Sequence, residues 1–167
     1  MSAFDIEQFK KDVHLLISEE PQTAVDRCDD ALSRADRADH HRIHGLRAWA
    51  LWSAGERERA LADLEIARRL NPHWAAHLYH AADWLIDLQR FPEAVVAADQ
   101  LLDLEAARSS IAFVDAALFI KAYALVRLGD NSAARSVLNR VKDEKPIWIG
   151  GRLISQADLQ RAADESR

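Results

Sequence analysis

A set of small and apolar residues recurs in this chain at fixed offsets, and that recurrence restricts the fold more than any other feature. Ala48, Gly55, Ala60, Leu64, Ala67 and Pro72 stand at offsets 0, 7, 12, 16, 19 and 24, and Ala122, Gly129, Ala134, Leu138, Val141 and Pro146 repeat them. A looser copy runs between them through Ala82, Gln89, Ala94, Ala98, Leu101 and Ala106, beginning 34 residues after Ala48. A period of that length belongs to stacked helix pairs, in which each pair needs its neighbours to bury its apolar face.

The spacing has mechanical causes. Small residues such as Ala48, Ala60 and Ala67 let helix backbones approach, Gly55 supplies the turn between two antiparallel helices, and Pro72 ends the second one. Ile43, Leu46, Ala50 and Leu51 give the first helix an apolar stripe, and Ala60, Leu61, Leu64, Ala67 and Leu70 give its partner another. One step backwards, Asp12, Glu19, Ala24, Cys28 and Ala31 fall near the same offsets and mark a degenerate first unit. From Ala82 to Ala122 the step is 40, and the six-residue surplus over 34 is placed near Ala107 to Ala112, as a longer loop or an extra helical turn.

After Pro146 the pattern changes. Ile147, Trp148 and Ile149, then Gly150 and Gly151, then Leu153 and Ile154 suit two short strands around a Gly-Gly turn. Ser155 and Asp158 read as an acidic capping box that starts a last helix through Ala163. The tail either covers the final apolar face of the array or offers Trp148 to a ligand or a second copy. The expected organisation is a single helical-repeat domain over 1–167, with a degenerate unit at 5–40, repeats at 41–74, 75–114 and 115–146, and a cap at 147–167.

These offsets, with Gly-Glu-Arg-Glu-Arg-Ala-Leu at 55–61, Leu-Asn-Pro at 70–72, Arg-Phe-Pro-Glu-Ala at 90–94 and Leu-Gly-Asp-Asn-Ser-Ala-Ala at 128–134, resemble the tetratricopeptide repeat (TPR) family. The departures are Gln89 for the turn glycine, Arg47 and Lys121 for apolar residues, and Ala106 for the terminal proline. The resemblance implies an all-α fold, a right-handed α-solenoid of stacked antiparallel helix pairs closed by a C-terminal capping segment. It also implies a concave groove lined by the first helix of each unit. That selects Gly45, Trp49, Trp52 and Ser53, then Tyr79, His80, Asp83, Ile86 and Asp87, then Phe119, Ile120, Tyr123, Val126 and Arg127.

Aromatic residues at such places bring large contact area with few rotors to freeze, so Trp49, Trp52, Tyr79 and Tyr123 are the natural anchors. With Asp83 and Asp87 at its centre, the groove suits an apolar peptide or helix carrying one or two Lys or Arg. Alternatively the N-terminal segment, with Ile6, Phe9, Val13 and Leu16 at helical spacing, fills it. Some members of the family clamp chaperone carboxylates with Lys, Arg and Asn. Gly45, Trp49, His80, Ala116 and Ile120 stand in that region here, and they offer no such clamp.

Composition narrows the partners. The net charge is −5, with 10 acids and 5 bases in residues 1–39, 4 and 6 in 40–72, and 13 and 11 in the remainder, so no basic block favours nucleic acid. The Arg57, Arg59, Arg68 and Arg69 strip alternates with acids, as a solvated helix does. No run approaches 18 apolar residues, the first residues lack a signal-peptide core, and the lone Cys28 suits a small packed site, so a cytoplasmic protein without membrane contact is expected.

Chemistry finds no support. His73, His77 and His80 have the spacing of one helical face and His40, His41 and His44 precede the previous helix, yet no ligand set is completed, so neither metal nor cofactor is expected. No phosphate loop, nucleophile elbow or dinucleotide fingerprint is present, and no enzyme is expected. What remains is a protein-protein interaction module binding a partner's peptide or helix. The alternatives are a bacterial immunity protein or secretion chaperone that sequesters one toxin or effector, and a self-associating scaffold, with a homodimer as its simplest form.

Overall fold

The computed structural model describes residues 4–143 and 145–165. Among them the chain is helical apart from one small hairpin. The helices are α1 (Ile6–Glu19), α2 (Pro21–Leu32), α3 (His40–Ser53), α4 (Arg57–Leu70), α5 (Ala75–Asp87), α6 (Phe91–Ala107), α7 (Val114–Leu128), α8 (Asn131–Leu138) and α9 (Gln156–Glu165). A 3-10 turn, Arg37–Asp39, precedes α3, and strands β1 (Ile147–Ile149) and β2 (Arg152–Ile154) precede α9. No helix among the described residues is long and apolar enough to cross a membrane.

The chain falls into two compact units, residues 1–77 and 78–167, divided within α5. In the first, α2 packs on α1 and α3, α4 packs on α3, and α1 also touches α3. In the second, α7 packs on α6 and α8, while α9 and β1 lie against α7 and α9 also against α8. The repeated small positions account for this close packing. Ala48, Ala60, Ala67, Ala82, Ala94, Ala98, Ala122 and Ala134 have no exposed surface, and neither have Ala24, Cys28 and Ala31 of the degenerate first unit. Burial also pushes the Cys28 thiol up to about 12, so it is a packed, unreactive group.

The turns repeat as closely as the core. Glu56 N–H reaches Leu51 C=O at 2.8 Å, Arg90 reaches Leu85 at 2.8 Å, and Asp130 reaches Leu125 at 3.0 Å, each the long bond of a Schellman ending. The residue before the donor is left-handed in all three, with φ +84° at Gly55, +58° at Gln89 and +81° at Gly129. The middle turn therefore survives the loss of its glycine, at a conformational cost of about 1–2 kcal/mol. The first unit differs: α1 ends at Glu19 and Pro21 opens α2 at once, so a proline does the work of the missing glycine.

The surplus between repeats takes both expected forms. With Ala106 where a proline would stop it, α6 runs for 17 residues, ending in a fourth left-handed turn at Ser109, φ +52°. The buried Glu105 then organises the loop, its Oε2 accepting from Ser110 Oγ at 2.8 Å and Phe113 N–H at 3.0 Å. Pro146, by contrast, does not end a helix. The helix α8 stops at Leu138, where Gln156 Nε2 donates to its carbonyl at 2.9 Å. The following chain is drawn away by Asp115, whose carboxylate accepts from Lys142 N–H and Asp143 N–H at 3.0 and 3.1 Å.

The tail forms the expected hairpin, pairing Ile147 with Ile154, Trp148 with Leu153 and Ile149 with Arg152. Ile149 and Ile154 point inward, while Trp148 and Leu153 stay 65% and 57% exposed. Ser155 and Asp158 make the capping box, with Asp158 N–H donating to Ser155 Oγ at 3.2 Å and Ser155 N–H to Asp158 Oδ2 at 3.2 Å. Arg135 Nη1 donates to Ala163 C=O at 2.8 Å and fixes α9 against α8.

Candidate functional site

In the first unit the nominated anchors are Trp49 and Trp52 on α3, both half-buried. One face of the Trp52 ring is taken by Arg57, whose guanidinium carbon lies 4.0 Å from the ring centroid and which also donates to Trp52 C=O. The polar groups of this unit form two internal networks. Arg47 clamps the buried Asp63 with Nε at 2.6 Å and Nη2 at 2.7 Å, and bonds Asp29 as well. His44 Nδ1 lies 3.1 Å from the same Asp63 carboxylate. Burial works against the charge of Asp63, but the hydrogen bonds from Arg47 and His44 outweigh it and hold the carboxyl below its ordinary range.

The second network absorbs two of the histidines. Asn71 Oδ1 accepts from His73 N–H at 3.3 Å, which turns Asn71 Nδ2 toward His41 Nε2 at 3.2 Å. With that nitrogen accepting, His41 gives its Nδ1–H to His77 Nε2 at 3.4 Å, so the tautomers follow in sequence from one amide. Burial lowers the His41 pKa, with Arg42 adding to the effect and Asp39 opposing it. Gly45 makes room for the second ring: a Cβ there would lie 2.9 Å from His77 Cε1. His73 sits in the exposed loop before α5. No group of three or more His, Cys, Asp or Glu among the described residues is placed to hold a metal ion.

In the second unit the nominated residues separate by depth. Phe119 has no exposed surface and is a core residue, which corrects its assignment to the groove, and Ile120 and Ile86 are core as well. The cause is the crowding of α7: Ala117, Leu118, Phe119 and Ile120 are buried in succession because α6, α8, α9 and β1 cover that helix from several sides. Tyr79, His80, Asp83, Tyr123 and Val126 are half-buried, and Asp87 and Arg127 are exposed.

Two aromatic groups lie among them. The Tyr79 ring meets Phe113 at 5.3 Å and His80 at 5.1 Å, and His80 stacks on Trp84 at 6.2 Å. Burial raises the Tyr79 hydroxyl pKa, helped by the charge of Asp83, and burial alone brings His80 down to about 4. Elsewhere Arg127 lies over Phe91 at 4.9 Å and Tyr123 at 5.9 Å and donates to Tyr123 Oη at 3.2 Å. A cleft of about 790 Å³, lined by Ile111, Val114, Asp115, Lys142, Lys145 and Ile147 among others, opens at the start of α7, with none of these aromatic side chains in its lining.

Asp83 is the point where the hairpin enters the site. Gly150 N–H donates to Asp83 Oδ1 at 2.8 Å, across 67 residues of sequence. Gly150 and Gly151 have φ +53° and +69°, as a type I′ turn requires of its two central residues. A Cβ on Gly150 would stand 2.9 Å from Ile86 Cγ2. Burial raises the Asp83 pKa; the Gly150 hydrogen bond opposes it and the neighbouring Asp87 adds to it. The occupant of the acidic centre is therefore the C-terminal hairpin. Its Gly-Gly turn was legible in the sequence, while its place against α5 was not.

The chain matches no protein-family model, and neither a curated protein nor a solved structure is significantly similar to it.

Proposed function

We propose that this chain is a non-enzymatic protein-interaction module of tetratricopeptide-repeat type, its helix pairs winding as a right-handed solenoid. In this reading it takes a peptide or helix of a partner protein on the first-helix surface of the second unit. The observation that supports it is the contact of the hairpin turn with Asp83, where a carboxylate takes a backbone N–H beside Ile86 as it would from a bound peptide. Tyr79, four residues before Asp83 on α5, and Tyr123 on α7 are half-buried aromatics with polar tips, the kind of side chain that dominates binding energy at interfaces. Asp87, exposed four residues beyond Asp83, adds a carboxylate that suits a Lys or Arg.

The test is capture of a partner from native lysate on the immobilised full chain, followed by affinity measurement on Tyr79→Ala and Tyr123→Ala. Truncating an interface anchor costs about 2 kcal/mol or more, so at least one variant is expected to bind about 30-fold more weakly while its melting transition stays cooperative. Unchanged affinity in both folded variants would remove this surface as the binding site.

A further inference from the structure

We propose that His41, His77 and Asn71 form a proton-driven switch, in which uptake of one proton by the imidazole pair reverses the Asn71 side-chain amide and releases the His73 N–H that closes the loop before α5. The switch lies within the first unit and is independent of the partner-binding reading of the second.

The relay as built runs in one direction. Asn71 Oδ1 takes the His73 N–H at 3.3 Å, which leaves Asn71 Nδ2 to donate to His41 Nε2 at 3.2 Å, and His41 Nδ1–H then donates to His77 Nε2 at 3.4 Å. Each ring carries one proton, and the bare nitrogen of each is already in use as an acceptor. A proton added from solvent has to take one of those two places. On His41 Nε2 it meets the Asn71 amide hydrogens head on. On His77 Nε2 it meets His41 Nδ1–H, a clash that ends only when His41 carries its own proton on Nε2 instead, where it again faces Asn71. Both routes reach one charged pair, with a proton shared between His41 Nδ1 and His77 Nε2 and another on His41 Nε2. Half a turn of the Asn71 amide resolves the conflict: Oδ1 accepts from His41 Nε2–H, and the His73 N–H loses its acceptor to solvent.

Burial decides which end of the relay yields. His41 and His77 are 7% and 5% exposed, and His77 Cε1 sits so close to the α3 backbone that a Cβ on Gly45 would lie 2.9 Å from it. Parting the rings would leave buried polar nitrogens unpaired, whereas His73 stands in an exposed loop where water replaces its bond at little cost. The charges around the pair come from several elements. On α3, Arg42 opposes charge on His41 and Asp39 favours it, and Arg42 is itself bound by Glu7 of α1. On α4, Asp63 is held by Arg47 and Glu65 by Arg68 and Arg69; on α2, Asp29 is bound to Arg47; α5 contributes His77. Burial is the largest influence on His41 and acts with Arg42, so the reversal is expected below the ordinary imidazole value of 6.5.

The test is ¹⁵N NMR of the full chain between pH 7.5 and 4.5, following the His41 ring nitrogens and the His73 amide. His41 Nε2 is expected to pass from bare to protonated, and the His73 amide to shift with the same midpoint and lose its protection from hydrogen exchange. Asn71→Asp supplies a carboxylate that accepts from His41 Nε2–H and His73 N–H together. In N71D the midpoint should therefore rise by about 1 pH unit or more, with the His73 amide staying in place. A His41 Nε2 that remains bare while either ring titrates, or a His73 amide that does not follow the pair, overturns the proposal. So does an N71D midpoint no higher than that of the unsubstituted chain, or loss of the native spectrum before His41 changes. The titration of the unsubstituted chain decides the matter even where N71D fails to fold.

Discussion

Gly45 offers a perturbation whose sign depends on a single contact. It lies inside α3, where glycine is about 1 kcal/mol worse than alanine, so Gly45→Ala on an open helix face would stabilise the protein by about that amount. Here the new Cβ would stand 2.9 Å from His77 Cε1 and 3.4 Å from its Nδ1. Carbon atoms rest at about 3.5 Å or more, so the ring must retreat by about 0.6 Å. It cannot do so freely: His77 is 5% exposed, with His41 3.4 Å from its Nε2 and Trp74 6.3 Å away between ring centroids.

Overpacking a fitted site costs about 1–3 kcal/mol, and weakening the imidazole hydrogen bond adds about 0.5–1 kcal/mol. Against a propensity gain of about 1 kcal/mol, the expected net effect is about 1–2 kcal/mol of destabilisation. In a His77→Ala background the same substitution should stabilise by about 1 kcal/mol, which makes the coupling in the cycle about 2–3 kcal/mol. Urea denaturation at pH 7.5 measures all four corners. Stabilisation of the parent chain by Gly45→Ala, or a coupling under about 0.5 kcal/mol, would refute the reasoning.

Two further outcomes are expected. Asp63→Ala leaves Arg47 without its bidentate partner in a site where Asp63 is 3% exposed, and should cost about 3 kcal/mol in a denaturation midpoint series, most of it recovered by adding Arg47→Met. His80 titrates at about 4 in the fold against 6.5 ordinarily, so the unfolded chain binds its proton first; stability is full above about pH 6.5 and falls by up to about 3 kcal/mol toward pH 4, a slope that His80→Gln should remove in melts across that range.

The parts of the fold that were legible in the sequence are those set by local rules. An alanine at a fixed offset is read as a buried close approach, and every such alanine in the three repeats is buried except Ala106, which marks the place where α6 runs on. The turn at Gln89 was legible from its offset despite the residue there, because the flanking helices impose the same six-residue ending found at Gly55 and Gly129. Phe119 was nominated by the resemblance, which takes no account of α9 and β1, and those elements lie against α7, where Phe119 is buried. The site suffered in the same way. Asp83 and the Gly-Gly turn were each visible, yet a hydrogen bond spanning 67 residues leaves no trace in periodicity.

The charged departures from the repeat also bear on what the surface can recognise. Arg47 and Lys121 occupy one equivalent place, each just before the leading alanine of its repeat, and Asp29 and Asp99 occupy another, each just after a buried small residue of the preceding second helix. The structure pairs them in the same way twice, Arg47 with Asp29 and Lys121 with Asp99, the latter at 2.6 Å. In the repeat between, Ala81 stands in the cation's place and Glu65 bonds Arg68 and Arg69 within α4. With both carboxylates about half exposed, such pairs are worth about 0.2–1 kcal/mol each, so their main effect is on how one helix pair seats against the next. The consequence is a bias of charge within each unit. In the first, Arg42 is held by Glu7 and Arg47 by Asp63 and Asp29. In the second, Lys121 is held by Asp99 and Arg127 by Tyr123 and Phe91, whereas among the described residues Asp83 and Asp87 receive at most a backbone amide, so the charge left uncompensated on α5 is negative.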